Sequence, residues 1–216
     1  MRVAKVTTEE RSVYVVRVAD EAFGDFPLGP PRFGRRATAV VSLDYGIDAC
    51  KVLNVETLDL LKPGARVPAF VLERLFGEDD AKTAESNKTP AAAMTAQFLR
   101  RLKTQAEDVR IVHSRMSLGG KRLFVRYSCE SARVSPAQAS AEIFKLYGVW
   151  VNAWQLGPRD VVGLFGAIGQ CGRECCCATW QKRYPAGGKF PAGTNVAQVN
   201  GTCGRWKCCV AFERES

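Results

Sequence analysis

Residues 89–156 read TPAAAMTAQFLRRLKTQAEDVRIVHSRMSLGGKRLFVRYSCESARVSPAQASAEIFKLYGVWVNAWQL, and this stretch decides the fold class. Thr89 suits a helix cap and Pro90 the first helical position, where a missing N–H costs nothing. Ala91, Met94, Phe98, Leu102 and Ala106 then recur every three or four residues, which predicts a helix with one apolar face. A strand is expected over 109–116, a tight turn at Gly119-Gly120, and a returning strand over 122–129 with Leu123, Val125, Tyr127 and Cys129 on one face. Ser135-Pro136 opens a second helix, with Ala139, Ile143, Leu146 and Tyr147 as its expected buried side, and Gly148 stops it. A last strand follows over 149–156. The order helix, strand, strand, helix, strand predicts an α+β chain, a ferredoxin-like αββαβ sandwich with its helices on one face of the sheet.

Upstream the pattern changes to period two. Residues 13–18 read as a mostly apolar strand. Thr38–Leu43 and 47–55 are β-branched runs around Asp44-Tyr45-Gly46, which predicts a β-hairpin. Residues 23–34 are rich in Gly and Pro and read as a loop, Lys62-Pro63-Gly64 breaks the chain, and 71–76 reads as a short helix. The polar run 77–89, GEDDAKTAESNKT, reads as a linker. The expected organisation is a β-rich N-terminal domain over 1–76, the linker, the sandwich over 90–160, and a Cys-rich metal-binding segment over 161–216 packed with the domain before it.

That last segment carries the chemistry. Seven of the nine cysteines lie between 171 and 209. Gly169-Gln170-Cys171-Gly172-Arg173-Glu174-Cys175-Cys176-Cys177 aligns with Gly201-Thr202-Cys203-Gly204-Arg205-Trp206-Lys207-Cys208-Cys209, sharing six of nine positions, and Cys175 stands opposite Lys207. Glycine lets Cys-Gly-Arg turn sharply, which leaves backbone N–H groups for sulfur. The arginine sets a cation near the thiol, which favours thiolate. In an extended Cys-Cys pair the side chains face opposite ways. Two leading cysteines with one from each pair then make four sulfurs, the complement of a [4Fe–4S] cluster or of a structural zinc. Metal-free thiols or disulfides are the third reading, and spacing alone leaves all three open. Cys50 and Cys129 sit alone in apolar runs and are expected to be buried as small hydrophobes.

At these residues the chain resembles the YaaT/RicT family, defined by the polymerase-suppressor C-terminal domain. The resemblance rests on the two Cys-Gly-Arg-x-x-Cys-Cys blocks, each preceded by glycine. Leu156-Gly157-Pro158-Arg159-Asp160, Gly166-Ala167-Ile168-Gly169 and the hairpin at Asp44-Tyr45-Gly46 extend it over about residues 38–209, densely from 149. It implies Cys171, Cys176, Cys177, Cys203, Cys208 and Cys209 as metal ligands. It also implies a [4Fe–4S] cluster with ligands from more than one chain, and a cytoplasmic complex with small partner proteins that modulates ribonuclease-dependent mRNA maturation. Two features depart from the family: the connection 178–202 is shorter, and Cys175 is additional.

Other classes recede. His113 is the single histidine and lies far from the cysteines in sequence, so two-histidine zinc sites, and Ser-His-Asp or Cys-His arrangements near the cysteines, are excluded. It reads as structural or surface. There is no G-x-x-x-x-G-K-[ST] loop, no G-x-S-x-G elbow, and no G-x-G-x-x-G after a strand, so no enzyme is expected. No apolar run approaches the roughly 18 residues of a membrane span, and the N-terminus lacks a signal peptide's apolar region, so a cytoplasmic location is expected. The net charge of +9 suits an acidic partner. Arginines and lysines over 100–126, and the cations with Trp180, Tyr184, Phe190 and Trp206 over 171–209, suit RNA. A zinc-holding single-stranded nucleic-acid-binding protein is therefore the alternative function.

Overall fold

The computed structural model describes residues 2–5, 12–18, 38–59, 70–179 and 200–208. The expected loop at 23–34, the break at Lys62-Pro63-Gly64 and most of the connection 178–202 lie outside them. Strands β1 (Arg2–Lys5), β2 (Ser12–Val18), β3 (Thr38–Leu43), β4 (Gly46–Asp59) and β5 (Phe70–Leu75) are followed by helices α1 (Glu78–Ser86) and α2 (Lys88–Lys103). Then come β6 (Arg110–Met116), β7 (Arg122–Ser128), α3 (Ala137–Tyr147), β8 (Trp150–Leu156) and α4 (Pro158–Phe165). The architecture is α+β, and α2-β6-β7-α3-β8 is the expected element order.

The five N-terminal strands close into a barrel in the order β1-β2-β4-β3-β5, where the sequence suggested only a hairpin region. The hairpin is there: Leu43 pairs with Gly46 across Asp44-Tyr45, and Gly46 adopts φ 106°. Closure depends on the length of β4. Its first half pairs with β3 and its second half with β2, and β1 meets β5 in parallel at Val3–Phe70 and Ala4–Val71. The short helix expected at 71–76 is instead β5, because Ala39–Val41 offers it a ladder and pairing outweighs local propensity. The expected linker at 77–89 is helical. Asp80 accepts from the Gly77 N–H at 2.9 Å, and the Arg74 guanidinium grips the same carboxylate, with Nη2 2.6 Å from Oδ1. Three acidic residues in the first turn also suit the helix dipole.

The chain divides into two compact units, Met1–Phe98 with Ser114–Phe124 and Ser140–Asn152, and Leu99–His113 with Val125–Ala139 and Ala153–Ser216. In the first, Val40, Ala49, Phe76 and Leu118 form a buried cluster flanked by Ala81 and Ala84. Beside it, Asp48 is fully buried and accepts both Arg115 guanidinium nitrogens at 2.9 Å, with further donations from the Ala49 and Leu118 N–H groups and the Tyr45 hydroxyl. Arg115 also lies 4.3 Å over the Phe124 ring. Burial, followed by the nearby Asp48 carboxylate, pushes the Tyr45 hydroxyl far above its ordinary value.

Strands β6, β7 and β8 form a second sheet with β7 central. The expected faces of α2 and β7 are buried at Ala91, Met94, Phe98, Leu102, Leu123, Val125 and Tyr127. On α3 the expectation holds for Ala139 and Ile143 and fails for Leu146 and Tyr147, which are exposed. The helix ends at Tyr147, and Gly148 at φ 67° turns the chain away before its last turn is covered. Cys50 is buried as expected. Cys129 is only half-buried, because its thiol donates to Asp108 Oδ1 at 3.2 Å. Asp108 also takes the Ser131 hydroxyl and the Ser131 and Glu130 N–H groups, and these bonds, the Ser131 hydroxyl first, hold its carboxyl far below the usual range.

Candidate metal centre

Both cysteine blocks fold into the same turn. Gly169 N–H donates to the Arg173 carbonyl at 2.8 Å, and Gly172 N–H to the Gly169 carbonyl at 2.9 Å. Thirty-two residues later, Gly201 N–H donates to Arg205 at 2.7 Å, and Gly204 N–H to Gly201 at 2.9 Å. Each is a hairpin with a three-residue loop whose last position is left-handed: Gly172 has φ 75° and Gly204 φ 74°. Flanking bridges match as well, Ile168 with Glu174 and Asn200 with Trp206. The sharp turn at Cys-Gly-Arg is therefore present twice, with Cys171 and Cys203 at the tips.

The glycine that opens each block lies close to the leading thiol. A Cβ on Gly169 would stand 3.4 Å from Cys171 Sγ, and one on Gly201 would stand 3.9 Å from Cys203 Sγ. The leading sulfur thus folds back over the glycine that opens the block. The two hairpins also touch, since the Thr202 hydroxyl donates to the Ile168 carbonyl at 3.1 Å.

A cavity of about 500 Å³ lies between them, lined by Cys171, Cys175, Cys176, Cys177, Cys203 and Cys208, with Trp206 and Lys207 on its wall. Five of the six candidate ligands, Cys171, Cys176, Cys177, Cys203 and Cys208, thus share one space, and Cys209 lies outside the described residues. The expected alternation within Cys-Cys does not hold for the first pair. Cys176 and Cys177 lie in a turn rather than an extended segment, so both line the cavity together with Cys175. The arginine of each block, Arg173 or Arg205, is not among the described residues of this wall. Arg205 instead brings Nη2 within 3.4 Å of where a Cβ on Gly157 would stand, and among the described lining residues the cation is Lys207.

Helix α4, which the sequence analysis did not anticipate, supports the first block. Gly157 caps it with Asp160 accepting from the Gly157 N–H at 3.1 Å, and Pro158 opens it. A Cβ on Gly163 would meet the Cys177 carbonyl at 3.3 Å, so this face of the helix admits only glycine without a shift. Burial, and then the neighbouring Cys175, push the Cys177 thiol up, while buried Arg159 pulls it down. Cys203 adds to the upward push on Cys177.

The donor set is all sulfur, and it is spread around a cavity wall rather than gathered at a point. Among the described residues no three Cys, His, Asp or Glu side chains are set to hold a single metal ion. Structural zinc needs four donors at about 2.3 Å from one ion. A cluster of four irons and four sulfides is larger and takes thiolates from more widely separated points. An all-cysteine donor set around one cavity is chemistry that a thiolate-ligated cluster and a four-cysteine zinc site share.

The chain is similar to the stage 0 sporulation protein YaaT of Bacillus subtilis (strain 168), with 22% identity over 141 residues, 65% of this chain and 49% of that protein. This similarity bears out the resemblance to the YaaT/RicT family read from the cysteine blocks. The chain spans about half the length of the curated relative it matches. No family model matches it. No solved structure matches it. Among the described residues no helix is long and apolar enough to cross a membrane.

Proposed function

We propose that this relative of a sporulation protein is a cytoplasmic regulatory or adaptor protein, without catalytic activity of its own. It holds a [4Fe–4S] cluster between its two cysteine blocks and works with small partner proteins and a ribonuclease in a complex that modulates mRNA processing. One observation carries the cluster: two hairpins of the same geometry bring thiols from both blocks to one cavity. Cys171 and Cys203 reach it from the hairpin tips, and Cys176, Cys177 and Cys208 from the turns that follow. Cys209 completes the candidate set implied by the family resemblance.

When bound, the cluster would supply a redox- and oxygen-sensitive crosslink between the blocks. The chain's own part is positional. The left-handed glycines hold the leading thiols at the tips, and Trp206 covers part of the cavity. Lys207 sets a positive charge against the thiolates.

Purification without oxygen, with iron, sulfide and zinc measured, tests this reading. Iron and sulfide in equal amounts with a broad visible absorption are expected, and Cys171→Ser and Cys203→Ser should lose them while Cys50→Ser keeps them. A colourless, iron-free, zinc-replete protein sinks it. For the adaptor role, recovery from the native host as a lone monomer, with no small protein and no ribonuclease, counts against it.

A further inference from the structure

A second cavity, of about 1110 Å³, opens beside the end of β8. It shares no described lining residue with the first, and the cysteine on its wall is Cys129. Its wall includes Trp154, Tyr127, Arg133, Arg205 and Glu130. The Trp154 indole keeps 43% of its surface exposed. The Arg126 guanidinium lies 3.5 Å over its ring. The guanidinium covers one face of the indole, and the cavity beside it is bordered by Arg133 and Arg205.

We propose that this cavity binds single-stranded nucleic acid, with a base stacked on Trp154 and the adjoining phosphates met by Arg133 and Arg205. The chemistry favours this class over others. A volume above the usual 300–1,000 Å³ of small-ligand sites leaves room for more than one nucleotide. Aromatic shelves stack any base, and arginines next to them neutralise the backbone, which is how strands are held without regard to sequence. Arginine also matches phosphate with a planar fork. Glu130 is the one carboxylate on the wall, so the described lining is net positive. An acidic peptide would satisfy the arginines and leave the shelf without a planar partner.

Arg205 gives the site a second meaning. It belongs to the Cys-Gly-Arg turn of the second block, yet its guanidinium lines this cavity while Cys203 and Lys207 line the other. One hairpin thus presents thiols on one side and a phosphate-binding cation on the other. Nucleic-acid binding does not depend on the cluster for its shelf, so the two readings fail separately.

The test uses the full chain and short labelled uridine and deoxythymidine 12-mers, with indole fluorescence and anisotropy read at two salt concentrations. Binding of the RNA alone, or of both strands, is expected, with quenching of the indole. Trp154→Ala should weaken binding about tenfold, as loss of one stacked base does, and Trp154→Phe should recover most of it. Arg133→Ala should lower the slope of log affinity against log salt by about 0.7, one phosphate's worth on a single strand. Lys103→Ala, remote in sequence and off this wall, should change neither quenching nor affinity by more than a small factor. Circular dichroism establishes that each variant is folded. The proposal is overturned if neither strand binds, if folded Trp154→Ala binds like the parent, or if Lys103→Ala weakens binding as much as Arg133→Ala. The last result would mean that diffuse positive charge does the binding.

Discussion

Gly172 and Gly204 are the residues on which each block turns. Both sit at positive φ with no atom near enough to obstruct a Cβ, so a substitution there costs backbone strain alone. Gly172→Ala or Gly204→Ala should cost about 1–2 kcal/mol locally. We expect either to leave the fold intact and to reduce iron bound per chain at least severalfold, read by metal analysis of the anaerobic protein. Full iron in both variants would show that tip geometry does not matter. Asp48 makes a different kind of prediction. It is fully buried and bidentate with Arg115, whose side chain is 12% exposed. Removing one partner leaves an uncompensated buried charge, so Asp48→Ala or Arg115→Ala should destabilise by about 3–5 kcal/mol in urea denaturation. The sequence showed Asp48 only as a polar residue in an apolar run. Its partner lies 67 positions away, beyond the reach of any local pattern.

Among elements, α1 has the most readable pH response. Asp80 is held below its usual carboxyl pKa of 3.8 by Arg74 first, with the Gly77 N–H helping, against the opposing effect of burial. A depressed folded value means the stabilisation is complete above the unfolded pKa and is lost as pH falls through the folded one. Acid titration of stability should therefore show a loss beginning near pH 4 that Asp80→Asn lacks. Asp80→Asn should also be less stable at neutral pH by about 1–2 kcal/mol, through the weakened cap and ion pair. The stretch containing α1 read as a linker because its side chains are polar. Its one-sided support by Asp80, Ala81 and Ala84 appears only once Arg74 and the barrel core are in place. Strand β5 shows the same effect more sharply: Phe70–Leu75 carries enough apolar and helix-favouring residues for a short helix, and its ladder partner β3, far upstream in the chain, makes it a strand. The hairpin β3–β4 and helices α2 and α3 were legible because their signals, turn residues and helical periodicity, are local.

For the whole molecule, the barrel and the cysteine cavity lie in different compact units. Loss of the cluster should act on one and spare the other. Exposure to oxygen and a chelator should raise hydrogen exchange at residues 169–177 and 201–208 and leave residues 38–51, paired within the barrel, at their original protection. Unchanged exchange at the cysteine blocks after complete iron loss would show that the hairpins stand without it.

The amino-acid sequence by itself determined the α+β order, the apolar faces of α2 and β7, the β3–β4 hairpin and the doubled Cys-Gly-Arg turn. Each follows from side-chain period or from glycine chemistry within a few residues. Tertiary structure alone decided that the N-terminal strands close into a barrel, that Asp48 pairs with Arg115, and that Cys175 joins Cys176 and Cys177 on one wall. It also sent Arg205 away from the thiols. These outcomes depend on which distant segments meet. Contact between groups far apart in the chain is set by packing and loop closure, and no local spacing encodes it.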